Sequence, residues 1–344
     1  MDYYPSKRVI CLIPQKLGLG GPASFQARLI AGLEKDRVEV TYDPFDPAVS
    51  AILVNGGTRE LDLLRQAKRR NVRIVQRLNG MNWVHRKRFT GIRHFIKAET
   101  GNWLLAHIRS QLADAIVYQS AFSRDWWNRV RGPVKAPGAV IHNGVDLSVF
   151  TPESPEYPPS DNYRVLVVEG HHGGGYDQGL ANAVTLVELL NRRMDKPVEL
   201  AVAGDVPERL KRRFEQAACR IQWLGVVKRE QIPAFDRSAH VLFSADINAA
   251  CPNAVVESLA CGLPVISFDT GSLSELVTPA AGCISPYGGN VWNLDKPDIH
   301  ALADCASQVL IRQQEFRRGA RARAEKAFSL EEMVKKYERV LLNE

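Results

Sequence analysis

The chain has 344 residues, 45% hydrophobic and 24% charged, with a formal net charge of +7. That length exceeds one compact core and suits two domains of about 150 residues each. The composition excludes a disordered or fibrous chain, and no apolar run approaches the ~20 residues that span a bilayer.

The opening "MDYYPSKRVICLIP" has no positive segment ahead of a secretory apolar core, so its apolar run reads as a first strand. In chain order, β-rich runs then alternate with helical patterns. "RVICLIP", "GPASFQARLIAGLEK", "VEVTYD", "AILVNG", "ELDLLRQAKRR" and "VRIVQRL" precede a helical region from about 90 to 113, followed by "AIVYQS" and a last strand in "GAVIHNGVD". The rhythm restarts at "YRVLVVEG" and runs through "LANAVTLVELLNRRM", "VELAVAG", "ERLKRRFEQAA", "IQWLG", "AHVLFSA", "NAVVESLACG" and "PVISFD". Strands regularly separated by helices predict parallel sheets covered on both faces. Two such units, joined by the proline-rich "TPESPEYPPSDN" at 151–162, predict an α/β protein of two Rossmann-like, doubly wound domains facing a cleft. The expected boundaries are 1–152, 160–325 and a terminal helix at 326–344 that packs back toward the first domain. That helix opens on Ser329 with Glu332 three residues on, the pattern of a capping box.

Six cysteines (Cys11, Cys219, Cys251, Cys261, Cys283 and Cys305) are scattered with no C-x-x-C pair. Reduced, buried thiols in a cytoplasmic protein are expected, not disulfides or zinc.

Ligands of open α/β sheets bind where strands end and loops open helices. Three such loops stand out. "QKLGLGGPASF" brings Gly20 and Gly21 to the start of a helix, where the backbone can approach a ligand or simply turn tightly. "VVEGHHGGGYDQG" carries His171, His172, Gly173, Gly174 and Gln178, and its free amides suit either a phosphate cradle or a plain hinge. In "AACPNAVVESLACGLP" a helix opening near Val255 would present the amides of Asn253, Ala254 and Val255 to an anion. Glu257, read as part of its first turn, would either face the same anion's ribose or offset the helix dipole.

"AACPNAVVESLACGLPVISFDTGSLSELV" resembles the signature of the family-4 retaining glycosyltransferases of GT-B fold, otherwise the glycosyl transferases group 1. "AIVYQSAFSRDWW", "AVIHNGVDLSVFTP", "LGLGGPASF" and "FSLEEMVKKYERVL" resemble further segments of that family, so the likeness covers nearly the whole chain. The resemblance implies transfer of a hexose-type sugar from a nucleotide-sugar donor to a glycan, lipid-linked or small-molecule acceptor. It implies retention of anomeric configuration with no metal or other cofactor. Glu257 and His171 then become the expected catalytic residues. The expected donor contacts are Gly20, Gly21, Gly173, Gly174, Gln178, Asn253, Ala254, Val255, Glu257 and Glu275, and Asn79 and Asn82 fall on the acceptor side.

The chain also departs from the family pattern. The first acid of the family's glutamate pair maps to Ala249, and its Arg and Lys on the diphosphate map to His171 and Gln178. These departures keep a second reading open, a catalytically degenerate sugar-nucleotide binder that serves as partner subunit of a glycosyltransferase complex. An epimerase or phosphorylase on the same fold is a weaker third reading.

Between residues 59 and 97 twelve cations, Arg59 to Lys97, face only Glu60 and Asp62. The block reads either as a solvated helix face or as a peripheral contact with an anionic membrane, interleaved with Trp83, Phe89 and Phe95. No nucleic-acid reading module accompanies it. The expected location is cytoplasmic, with the inner membrane face as a place of contact in the second case.

Overall fold

The computed structural model describes residues 8–18, 20–153, 155–172 and 177–344. The chain divides into two units, one of residues 1–86, 91–144 and 330–344, the other of residues 87–90 and 145–329.

In the first unit the apolar runs become β1 (Val9–Ile13), β2 (Glu39–Thr41), β3 (Val49–Asn55), β4 (Arg73–Leu78), β5 (Ala115–Tyr118) and β6 (Gly138–Val140). They form one sheet in the order β2-β1-β3-β4-β5-β6, every pair parallel. The helices between them are α1 (Gly21–Lys35), α2 (Leu61–Arg69), α3 (Ile92–His107) and α4 (Ala121–Arg131). Alternate residues of β1 enter opposite faces. Ile10 and Leu12 pack with Phe25, Leu29 and Leu33 of α1, whereas Val9, Cys11 and Ile13 pack with Leu64 and Ala67 of α2. Such two-sided burial is why these strands read as continuous apolar runs.

The second unit repeats the scheme with β7 (Tyr163–His171), β8 (Val198–Asp205), β9 (Ile221–Gly225), β10 (Val241–Phe243), β11 (Val265–Phe268) and β12 (Gly282–Ser285). Its parallel order is β12-β11-β10-β7-β8-β9. The helices are α5 (Asp177–Leu190), α6 (Glu208–Arg213), α7 (Ile232–Arg237), α8 (Asn253–Ala260), α9 (Leu273–Leu276), α10 (Ile299–Ile311) and α11 (Gln313–Ala327). Finally α12 (Leu330–Leu342) returns to the first unit, where Met333, Val334, Tyr337 and Leu341 join the core beside α1.

Several elements differ from the sequence-based expectation. The strand in "GAVIHNGVD" stops at Val140. Beyond it Asn143 accepts a bond from Arg77 Nη2 (2.8 Å) and Val145 bridges Ser329, so that stretch leaves the sheet. The helix expected from "ERLKRRFEQAA" ends at Arg213. The cysteine expectation also needs correction, because Cys283 and Cys305 form a disulfide. Packing of β12 on α10 brings their Cα atoms to 5.6 Å, within disulfide reach, a proximity that a separation of 22 residues does not announce. Cys11, Cys219, Cys251 and Cys261 take no part in a disulfide.

The basic block is not one surface. Arg77 is buried, Arg70 and Arg73 donate to the carbonyls of Pro44 and Val340, and Lys68 pairs with Asp114. Arg86 binds Glu99 through two nitrogens, which with His85 holds that carboxyl down to about 2. Arg93 and Lys97 remain on the exposed side of α3 beside Ile92, Phe95 and Ile96. Among the described residues no helix is long and apolar enough to cross a membrane.

Candidate functional site

Each sheet has one switch point, between β1 and β3 in the first unit and between β7 and β10 in the second. At such points successive connections leave to opposite sides and open a crevice at the carboxyl ends of the strands.

At the edge of the second unit, β7 ends in His171, whose Nδ1 lies 2.8 Å from Asp205 Oδ2 at the end of β8. A carboxylate there accepts from Nδ1–H and so fixes the orientation of the ring. His172 is buried instead, its Nε2 3.1 Å from the Ala203 carbonyl, and burial lowers its pKa. Gly173 and Gly174 lie outside the described residues. Gln178 sits in the first turn of α5 and donates to Asn182 Oδ1 (3.0 Å). A Cβ on its neighbour Gly179 would lie 3.0 Å from the Ala245 carbonyl, so the start of α5 rests against the exit of β10.

Helix α8 begins two residues earlier than the sequence implied. Asn253, Ala254 and Val255 form its first turn, after Pro252, which as the N-cap residue makes no side-chain cap bond. A helix end of this kind carries roughly half a positive charge. Glu257 therefore belongs to the second turn, and no acid stands in the first. The proline-set extended residue ahead of Asn253 pre-orders the chain and moves the start forward. Glu257 is only 7% exposed, and its charge helps raise the buried Asp236 carboxyl on α7, where burial is the larger cause.

Ala249 is 7% exposed and packs with Val255, Leu259 and Leu273. Its carbonyl accepts from Ser272 N (2.9 Å), which ties the loop after β10 to the loop before α9. Glu275, half-buried on α9, offers its backbone carbonyl to Arg323 Nη2 (2.8 Å).

One pair escaped the sequence reading in part. Glu169 on β7 and Asp246 just after β10 stand across the switch point, and both carboxyls are raised. Burial is the main cause for each, and the charge of Asp246 adds to it for Glu169. The signal available was Glu169 itself, an acid in an apolar strand. A raised folded-state pKa means the folded chain holds a proton that the unfolded chain has already released. Stability therefore falls as pH rises from the ordinary carboxylate range toward the raised value. Glu169→Gln is expected to flatten that decline and raise the melting temperature at pH 8, checked by thermal denaturation across pH 5 to 8.

In the first unit, Gly20 caps α1 and Gly21 is its first residue, both exposed. Asn79 follows β4, its carbonyl accepting from Trp127 Nε1 (2.7 Å) and Ser123 Oγ (3.2 Å). Asn82 is exposed and pairs through its backbone with the Asn102 side chain. A cavity of about 230 Å³ opens where β1, β3 and β4 end. Asn79 lines it and Asn82 does not.

Two parallel, doubly wound units of this kind make the GT-B fold of glycosyltransferases. Sucrose-phosphate synthase from Thermosynechococcus elongatus is similar with a TM-score of 0.72 at 16% identity, over 97% of this chain and 98% of that one. HepE from Anabaena, solved with UDP and glucose, is similar with a TM-score of 0.71 at 15% identity, over 98% and 100%.

In sequence, residues 172–327 match the family described as glycosyl transferases group 1. Among curated relatives, the gpi3 subunit of phosphatidylinositol N-acetylglucosaminyltransferase from Schizosaccharomyces pombe is 23% identical over 50% of this chain and 35% of its own length. A GDP-mannose-dependent phosphatidylinositol dimannoside mannosyltransferase from Mycobacterium tuberculosis is 25% identical over 62% of this chain and 53% of its own. The chain thus spans about a third to a half of the curated relatives it matches.

Proposed function

We propose that this chain is a retaining glycosyltransferase that moves a hexose-type sugar from a nucleoside-diphosphate sugar to a glycan, lipid-linked or small-molecule acceptor. The observation that carries the reading is the start of α8 directly after Pro252 with Glu257 one turn in, following β10 inside the segment matched to the family. The amides of Asn253, Ala254 and Val255 receive the diphosphate, and Glu257 accepts from the ribose hydroxyls. HepE, a protein of like fold, was solved with UDP and with UDP-glucose, which supports a nucleotide at this site.

Chemistry passes through an oxocarbenium-like state. The departing phosphate deprotonates the incoming hydroxyl on the same face, so no enzyme nucleophile and no metal are required. The protein then contributes position and electrostatics. His171, oriented by Asp205, and the start of α8 stabilise charge where it develops on the leaving diphosphate.

A second reading has its own observation. Ala249, where the family's first acid falls, is packed among apolar side chains, and a binder without turnover follows if that acid is indispensable. Calorimetric titration with UDP and GDP, followed by turnover of their sugars, separates the two. Binding with turnover supports the enzyme, binding without turnover supports the partner subunit, and no binding removes both.

Peripheral contact with an anionic membrane is assigned to α3, where Ile92, Phe95, Ile96 and Trp103 are exposed beside Arg93 and Lys97. Amphipathic faces of this composition lie in the lipid interface. Flotation with vesicles of anionic lipid is expected to show binding that weakens with salt and is lost in Ile92→Glu/Ile96→Glu. Binding indifferent to both changes would refute it.

A further inference from the structure

We propose that Asp236 of α7 is a positioning residue for Glu257: it tethers α8 through Ser258 and leaves Glu257 as the one charged acid of the ribose contact. This deepens the glycosyltransferase reading above and rests on it. Helix α7 packs on α8, and the charge of Glu257 reaches Asp236 across that contact.

Asp236 is only 1% exposed. Its Oδ1 accepts from Ser258 Oγ (2.8 Å), a fully buried hydroxyl on the residue next to Glu257. The bond therefore grips α8 at the turn that carries the proposed ribose acceptor. Asp236 Oδ2 makes no hydrogen bond among the described residues. The adjoining cation, Arg237, is turned to the Glu156 carboxylate and the Thr151 carbonyl. A carboxylate buried with one bare oxygen and its neighbouring cation engaged elsewhere is costly, and taking up a proton removes that cost.

The surroundings act in the same direction. Burial, and then the charge of Glu257, push the Asp236 carboxyl well above the ordinary aspartate range, against smaller opposing effects of Ser258, Arg237 and Cys261. Burial also keeps Cys261, at the end of α8, a thiol. Beyond it stand two cations of α11, and both spend donors on carbonyls, Arg317 on Arg237 and Ala239, Arg321 on Phe150 and Ala260. While Asp236 holds its proton, Glu257 has no like charge behind it. As pH rises and Asp236 ionises, a second negative charge appears beside Glu257 away from water, where repulsion is strong. The ribose contact then weakens.

Calorimetric titration of the full chain with UDP and GDP, each beside its 2′,3′-dideoxy form, tests this from pH 6 to 9. Each pair shares base and diphosphate, so their own ionisation cancels in the ratio of affinities, which reads the ribose hydroxyls alone. The wild-type chain is expected to prefer the ribose form about tenfold or more at pH 6 and to lose most of that preference toward pH 9. Asp236→Asn keeps the shape, the acceptor for Ser258 and the absence of charge, and is expected to hold the preference throughout. Glu169 and Asp246 titrate in both proteins, so the comparison isolates Asp236. Ser258→Ala cuts the tether and is expected to lower the preference at pH 6 about fivefold. A purely structural bond would instead lower the melting temperature and leave the preference intact. The same pH dependence in wild type and Asp236→Asn, or an undiminished preference in Ser258→Ala, overturns the proposal and leaves the transferase reading standing. Binding without any preference for the ribose form removes both this inference and the ribose contact of Glu257. If no nucleotide binds, the transferase reading falls with it.

Discussion

Glu257→Gln is expected to weaken UDP or GDP binding about 10- to 100-fold, with the melting temperature unchanged or raised. On the function proposed above the loss follows from removing the charged acceptor of a ribose diol, since hydrogen bonds to charged groups contribute about 1.5–3 kcal/mol. The retained stability follows from Asp236, whose buried carboxyl is raised partly by the charge of Glu257. Glutamine keeps the shape of the side chain and relieves that repulsion. A purely structural Glu257 would behave in the opposite way, with lower stability and intact nucleotide binding. Calorimetry and thermal denaturation of the one variant therefore decide the role.

The second large effect is expected at Gly271. Its φ of +62° lies in the left-handed region, and a Cβ there would come within 2.6 Å of both the backbone nitrogen and the carbonyl oxygen of Ala249. Side chains disfavour that conformation by about 1–2 kcal/mol, and neither backbone atom can withdraw without breaking the Ser272 N to Ala249 O bond. Gly271→Ala is expected to cost about 3 kcal/mol or more in stability. It should weaken nucleotide binding as well, because the displaced loop leads directly into α8. Urea denaturation and a UDP titration check both parts. Unchanged stability would mean that the two loops do not interlock.

Much of the architecture was legible in the sequence for a simple reason. Strands covered on both faces appear as uninterrupted apolar runs, and "AILVNG" or "PVISFD" has no helical alternative at that length. The start of α8 was less legible, since Asn253 suits a cap as well as a first helical position and only the backbone before it fixes the first turn. The pairing of Cys283 with Cys305 depends on how β12 lies on α10, and neither flank announces it. The cluster of cations from Arg59 to Lys97 was plain as a density along the chain. Its dispersal into separate pairs and a buried Arg77 was not, because linear density says nothing about where each side chain points. Lys16 follows β1, Asn55 ends β3 and Arg77 lies on β4, so their meeting around one cavity becomes visible only with the sheet order.

The return of α12 to the first unit has a consequence for biosynthesis. Met333, Val334, Tyr337 and Leu341 fill the core beside α1, and Gly32 of α1 leaves the space that Val334 occupies. A ribosome delivers residues 330–344 only after the whole of the second unit has been made. The earlier-translated unit must therefore wait, its hydrophobic seam uncovered, while the later one already has its complete set of strands. A nascent chain stalled before Leu330 would therefore leave that seam beside α1 uncovered.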